Sequence, residues 1–153
     1  MKKTNKGFSL VELIIVIAIM AILAAAIAPA LIRYIDKSRR ADDVTAAGTV
    51  LTGVQTAMAD EDCYSEIAQA SSGEIIVKVT PGTKGNVSVS AIGNNVKSEM
   101  ESTLASGCAI KYTKDGAKFY TVAVDGETLS VYIADATNNT KWEIQPSTDK
   151  KYK

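Results

Sequence analysis

The chain has no histidine and only two cysteines, Cys63 and Cys108. It therefore lacks the commonest general base and the commonest transition-metal ligand, and enzyme chemistry is poorly supplied. No CxxC pair is present to begin a zinc site. No GxxxxGK(S/T) run is present either, so the chain has no P-loop with which to power work by nucleotide hydrolysis. An excess of positive charge is missing as well, with 17 basic residues set against 17 acidic ones. General nucleic-acid binding draws most of its affinity from clustered Lys and Arg, so no specific nucleic acid is implied. These absences argue against an enzyme and against a cofactor or metal.

The most informative local absence is that of charge between Leu13 and Ile32. At about 1.5 Å rise per residue, that run crosses a bilayer core of about 30 Å as a single helix. Glu12 lies one turn inside the same apolar helix. An unpaired carboxylate is costly there, which makes Glu12 a candidate functional residue in need of a partner. Lys2, Lys3 and Lys6 precede Gly7 and Phe8, and a basic leader, a small residue and an apolar run read as a processing site. The cut would fall before the apolar run, whereas a secretory signal peptide is cut after it. Loss of the three lysines would leave 17 − 3 = 14 basic residues against 17 acidic, a formal charge of −3. A plain single-pass anchor, with Glu12 at headgroup level, is the simpler reading of the same residues.

The stretch Lys6-Gly7-Phe8-Ser9-Leu10-Val11-Glu12-Leu13-Ile14, with Pro29 further along, closely resembles the class III signal of type IV pilins and the related pseudopilins. The resemblance implies that a membrane prepilin peptidase cuts between Gly7 and Phe8 and methylates the new amino terminus of Phe8. Residues 1–7 would be the leader and 8–32 the transmembrane and filament-core helix. The chain would be a pilin, the structural subunit of a type IV pilus, first a single-pass precursor in the cytoplasmic membrane and then part of an extracellular homo-oligomeric filament. An assembly ATPase and a platform protein would act in trans. The Phe8 amine of an incoming subunit would pair with Glu12 of one already in the fibre. A type II secretion pseudopilin and a membrane-anchored binding domain remain alternatives. Basic residues flank the span almost equally, so its orientation, leader inside, rests on the resemblance.

Pro29 removes a backbone donor and frees the carbonyl of Ala25, so a kink is expected there. Family members commonly lose helical order between this proline and an earlier glycine. Ala21 stands at that earlier position here, a departure that would shorten any unwinding. Export would put Cys63 and Cys108 in an oxidising compartment, where a disulfide between them is expected; two unpaired small hydrophobes are the alternative.

Beyond Ile32 the helix turns amphipathic over residues 33–62, with Val44, Ala47, Leu51, Val54 and Met58 on one stripe and Arg39, Arg40, Asp42 and Asp43 mostly off it. Residues 63–108 read as a variable loop region with short strands at Ile75–Val79 and Val87–Ile92 and a helix at Val96–Leu104 ended by Gly107. Residues 109–153 read as a meander with strands at Ala109–Thr113, Lys118–Val124, Thr128–Ala134 and Lys141–Ile144. Asp115-Gly116 and Asp125-Gly126 serve as hairpin turns, with Asn138-Asn139 before the last strand. The fold class is therefore α+β: a long N-terminal helix, membrane-spanning in its first half and amphipathic in its second, packed on an antiparallel meander of about four strands.

Other features have ordinary explanations. Asp60, Glu61 and Asp62 lack calcium-loop spacing and suit a solvated helix end, and Asp135, Asn138 and Asn139 suit a turn as well as they suit calcium. Two glycosylation triplets, at Asn86 and Asn138, carry little weight. Trp142 and the Lys150-Lys151-Tyr152-Lys153 tail suggest an adhesive spot less well than a packed tryptophan and a solvated tail.

Overall fold

The computed structural model describes residues 7–81, 87–104, 108–125, 128–136, 140–150 and 152. Residues 1–6 of the expected leader, the turns at 82–86, Gly107, Gly126 and Asn138-Asn139 lie outside the described residues. Contacts divide the chain into two units, Met1–Asp36 and Lys37–Lys153.

The first unit carries the opening part of helix α1 (Leu10–Ala57), which continues through Pro29 without interruption. Every residue from Gly7 to Ile35 is exposed, and α1 is long and apolar enough to cross a membrane. A helix that is hydrophobic all round has no polar face to give to water, so it requires another apolar surrounding.

In the second unit, the remainder of α1 buries Asp43, Ala47, Val50, Gly53, Val54 and Ala57. The expected stripe is present but rotated: Val44, Leu51 and Met58 sit at its margin, packed against the core only in part. Thr45, Thr49, Thr52 and Thr56 face outward and donate their hydroxyls to carbonyls four residues back, as solvent-facing helical threonines do. Helix α1 ends at Ala57, and Asp60 opens a second helix, α2 (Glu61–Ile67), by accepting from the amides of Asp62 and Cys63. The acidic cluster is thus a helix cap and the first turn that follows it, where negative charge complements the helix dipole.

Five strands follow in one antiparallel sheet: β1 (Ile75–Pro81), β2 (Val87–Ala91), β3 (Phe119–Asp125), β4 (Thr128–Ala134) and β5 (Thr140–Gln145), in the order β2-β1-β3-β4-β5. Helix α3 (Asn94–Thr103) lies between β2 and β3 in sequence. Ile76, Val77, Val79, Tyr120, Val122, Val131, Ile133 and Ile144 join the α1 stripe in one core. Asp125 stands opposite Thr128, as a two-residue hairpin connection requires.

Two details place α3. Its N-cap is Gly93, which has no side chain to offer, and the Glu66 carboxylate from α2 receives the amides of Asn95 and Val96 instead. A Cβ on Gly93 would collide with that carboxylate. At the other contact, Gly53 of α1 lets Met100 approach; a Cβ there would lie 3.3 Å from its sulfur.

Ala109–Thr113 corrects an expectation: it is not a strand. Its amides are taken by a carboxylate rather than by a neighbouring strand, with Lys111 N donating to Asp43 Oδ1 at 2.6 Å and Tyr112 N to Asp43 Oδ2 at 3.0 Å. The first expected meander strand is therefore an extended clamp on α1, and β1 and β2, expected as isolated pieces in a loop region, supply two of the five strands.

A second correction concerns the cysteines. Cys63 and Cys108 are both free and buried rather than bridged. Cys63 is held on α2 beside a cavity lined by Asp60, Asn95 and Glu99, whereas Cys108 turns its sulfur toward the Ala46 carbonyl of α1, 3.9 Å away. Burial pushes both thiols above the ordinary cysteine value. Unreduced native protein should therefore react slowly with a thiol reagent, and two thiols per chain should titrate after unfolding. No thiol in the unfolded, unreduced protein would restore the bridge.

Candidate assembly site

Ser9, Leu10, Val11 and Glu12 form a reciprocal helix start, the S-x-x-E capping box. The Ser9 hydroxyl accepts from Val11 N at 3.3 Å, and the Glu12 carboxylate reaches back to accept from Ser9 N at 2.9 Å. Leu13 N closes the first full turn on the Ser9 carbonyl. Glu12 thus has a local partner, one residue from the expected cleavage bond. That bond engages Oε2; no partner of Oε1 is found among the described residues. One carboxylate oxygen is spent on starting the helix and the other faces outward.

Phe8, just before this start, is 88 % exposed. Among the described residues nothing requires a glycine at Gly7: a Cβ built there meets nothing within 4 Å, and positive φ is found at Gly73 and Gly116. Gly7, Phe8 and Glu12 lie together at the start of α1, while Pro29 lies well along the helix and Cys63 and Cys108 belong to the other unit.

A second polar centre escapes a reading of the sequence. Asp43 is fully buried and, besides the two amides from the 109–113 segment, accepts from the Tyr152 hydroxyl at 2.6 Å. Tyr152 is buried against Trp142, with ring centroids 5.4 Å apart, and edge-on to Tyr112 at 6.2 Å. Arg40 closes the cluster, its guanidinium 4.2 Å from the centre of the Tyr112 ring and donating to the Tyr112 hydroxyl at 2.7 Å. That hydrogen bond holds the guanidinium above its usual value. Burial, reinforced by Asp43, pushes both Tyr120 and Tyr152 well above the ordinary tyrosine range. The tail expected to be solvated is anchored at Tyr152. The signal is present in the sequence: Asp43 continues the spacing of Ala47, Val50, Val54 and Ala57 backward by one step.

Among the described residues no cluster of acidic or cysteine side chains suits a metal ion. A family model described as the prokaryotic N-terminal methylation motif matches residues 2–28. The chain is 33% identical to the type IV major fimbrial protein FimA of Dichelobacter nodosus over 113 residues, which is 74% of this chain and 69% of that protein. It is 30% identical to the fimbrial protein EcpC of Eikenella corrodens over 155 aligned positions, covering 99% of this chain and 90% of the relative. No solved structure matches.

Proposed function

The chain belongs to the type IV fimbrial protein family, and on that premise we propose that it is a pilin that is cleaved between Gly7 and Phe8, methylated at Phe8, and assembled through α1 into a helical surface filament. The observation that carries this is the apolar length of α1, exposed on every side and bearing its one carboxylate, Glu12, beside Phe8. Lipid covers that surface before assembly, and the packed helices of other subunits cover it afterward. Head-to-tail contacts that do not close on themselves give an open helix, so one small subunit builds a long fibre. A prepilin peptidase, an assembly ATPase and a platform protein supply the cut and the work in trans. The precursor sits in the cytoplasmic membrane and the product lies on the cell surface. The relatives from Dichelobacter nodosus and Eikenella corrodens are fimbrial proteins by name, which favours a pilus over a secretion piston or a plain anchored domain.

Processing is the direct test. Mass spectrometry of fibre protein should find Phe8 at the amino terminus with one added methyl group. A Gly7→Val precursor should fold its head normally, since a Cβ at Gly7 meets nothing, yet remain uncut in the membrane. Fibres built from subunits that retain residues 1–7 would sink the reading.

A further inference from the structure

The second unit carries a hollow at one end and a projecting ring at the other. Beside its first helical turns lies a cavity of about 340 Å³, walled by Ala41, Val44, Thr148 and Tyr152 and edged by Lys37 and Arg40. The walls are mainly carbon, and about 150 Å³ suffices to hold a benzene ring. Lys37 at the edge is exposed and makes no ion pair among the described residues.

The far end differs in charge and in surface. No Lys or Arg occurs between Arg40 and Lys78, while Asp60, Glu61, Asp62, Glu66 and Glu74 fall in that interval. Glu66 joins α2 to the start of α3, and Glu74 directly precedes β1, so these carboxylates gather at one end of the sheet. The exposed large hydrophobic side chains described in the second unit are Tyr64, Ile75 and Ile92, and they lie at that same end. Ile75 opens β1, and Ile92 follows β2 and bonds through its amide to the Ile76 carbonyl. Tyr64 is the most exposed of the three, at 53%. Glu61 stands three residues before it on α2, hence on the same face, and makes no ion pair among the described residues. The stretch of α1 from Lys37 to Ala57 holds the two ends about 30 Å apart, at about 1.5 Å rise per residue.

A knob at one end and a hollow at the other fit two copies together head to tail, and such a contact repeats without closing when all copies point the same way. Charge agrees with shape, since the acidic end of one copy attracts the cationic edge of the next and repels another acidic end. We propose that in the fibre the Tyr64 ring of one copy seats in the cavity of the next, against Ala41, Val44 and Tyr152, with Glu61 facing Lys37 across the contact. This rests on the filament reading above and adds to it a contact between heads, which sets how one head stands on another. A tyrosine suits the part, because a rigid ring brings a large contact area at a low cost in side-chain freedom.

Carbodiimide joins a lysine amine to a carboxylate only where the two already touch. Lys37 and Glu61 of one chain are too far apart, so an amide between them must join two copies. Mass spectrometry of carbodiimide-treated fibres should find that amide, and full-length protein dispersed in detergent should not give it. Tyr64→Ala removes the ring, and Ala41→Phe fills the cavity from an exposed position on α1. Both variants keep Lys37 and Glu61, and each should lower the yield of the amide about tenfold or more, the loss expected of a central aromatic anchor. Tyr64 also borders a second cavity with Met58 and Leu129, so Ala41→Phe tests the contact without disturbing that part of the core. The Lys37→Glu, Glu61→Lys double variant exchanges the charges and should still give the cross-link. Fibres of the unaltered chain that lack the amide, an equal yield from dispersed protein, or a full yield in Ala41→Phe would overturn the contact and leave the filament reading standing. No fibres from the unaltered chain would overturn both.

Discussion

Fibres should disappear when Glu12 is replaced by leucine, and almost as completely when it is replaced by glutamine. The two variants divide the work of one side chain. Glu12 caps α1 by accepting from Ser9 N, and it carries the lone negative charge of an apolar surface. Glutamine keeps the acceptor and completes the capping box, so the helix start survives. Leucine loses both, at a helix cost of about 1 kcal/mol, small for a helix of 48 residues. Cleavage would create a cationic amine at Phe8, and a fibre that buries that amine without Glu12 leaves it unpaired. An uncompensated buried charge costs about 3 to 5 kcal/mol, or roughly two to four orders of magnitude in the equilibrium of each addition.

Immunoblots of sheared fibres against membrane fractions would read the outcome. In both variants processed subunit should accumulate in the membrane with little in the fibre, and insertion should improve slightly as a carboxylate leaves the apolar helix. Normal fibre yield from Glu12→Gln would assign Glu12 to helix capping alone and remove the charge pairing from the mechanism. Loss in leucine with full recovery in glutamine would make that assignment sharper, because glutamine restores the cap and not the charge.

Glu12 is legible in the sequence because context makes it conspicuous: one carboxylate beside a run of 20 residues, Leu13 to Ile32, without charge. The five strands β1 to β5 are legible for a similar reason, since β-branched residues alternate between turn residues. Ala109–Thr113 has the same local pattern, but the amides of Lys111 and Tyr112 meet Asp43, 68 and 69 positions away, and no local pattern tells a ladder partner from a carboxylate. Asp43 is hidden by the rule that charged residues usually face water. Its spacing to Ala47 and Val50 places it on the buried stripe, and spacing is the better guide. The cysteines show the opposite error. Number and compartment favour a bridge, but direction decides it, and Cys63 on α2 and Cys108 beside α1 point to different neighbours. The Glu66 cap over Gly93 is hidden for the same reason, because donor and acceptor belong to different helices.

Asp43 should be the most costly polar residue to remove from the head. Asp43→Ala leaves three donors facing carbon: the amides of Lys111 and Tyr112 and the hydroxyl of Tyr152. Each buried donor left unsatisfied costs about 1 to 3 kcal/mol, and relaxation toward water recovers part of that. A net loss of about 3 to 5 kcal/mol is expected, a large share of the 5 to 15 kcal/mol typical of a whole domain. At roughly 4 °C per kcal/mol the melting temperature should fall by about 12 to 20 °C. Tyr152→Phe removes one donor to a charged acceptor and keeps the ring against Trp142, so it should cost about 1.5 to 3 kcal/mol. Because both changes break the same bond, the double variant should cost clearly less than their sum. Alkaline titration offers an independent reading. The folded state holds Tyr120 and Tyr152 protonated beyond the ordinary value of 10.0, so the unfolded chain releases those protons first. Stability is therefore full below pH 10 and lost as pH rises above it, by at most about 1.4 kcal/mol per pH unit for each tyrosine. Tyr152→Phe should be less stable at neutral pH yet lose stability with a shallower slope above pH 10. Two single variants within about 0.5 kcal/mol of the parent, or an unchanged alkaline slope in Tyr152→Phe, would show that the sheet and the α1 stripe hold the head without this carboxylate.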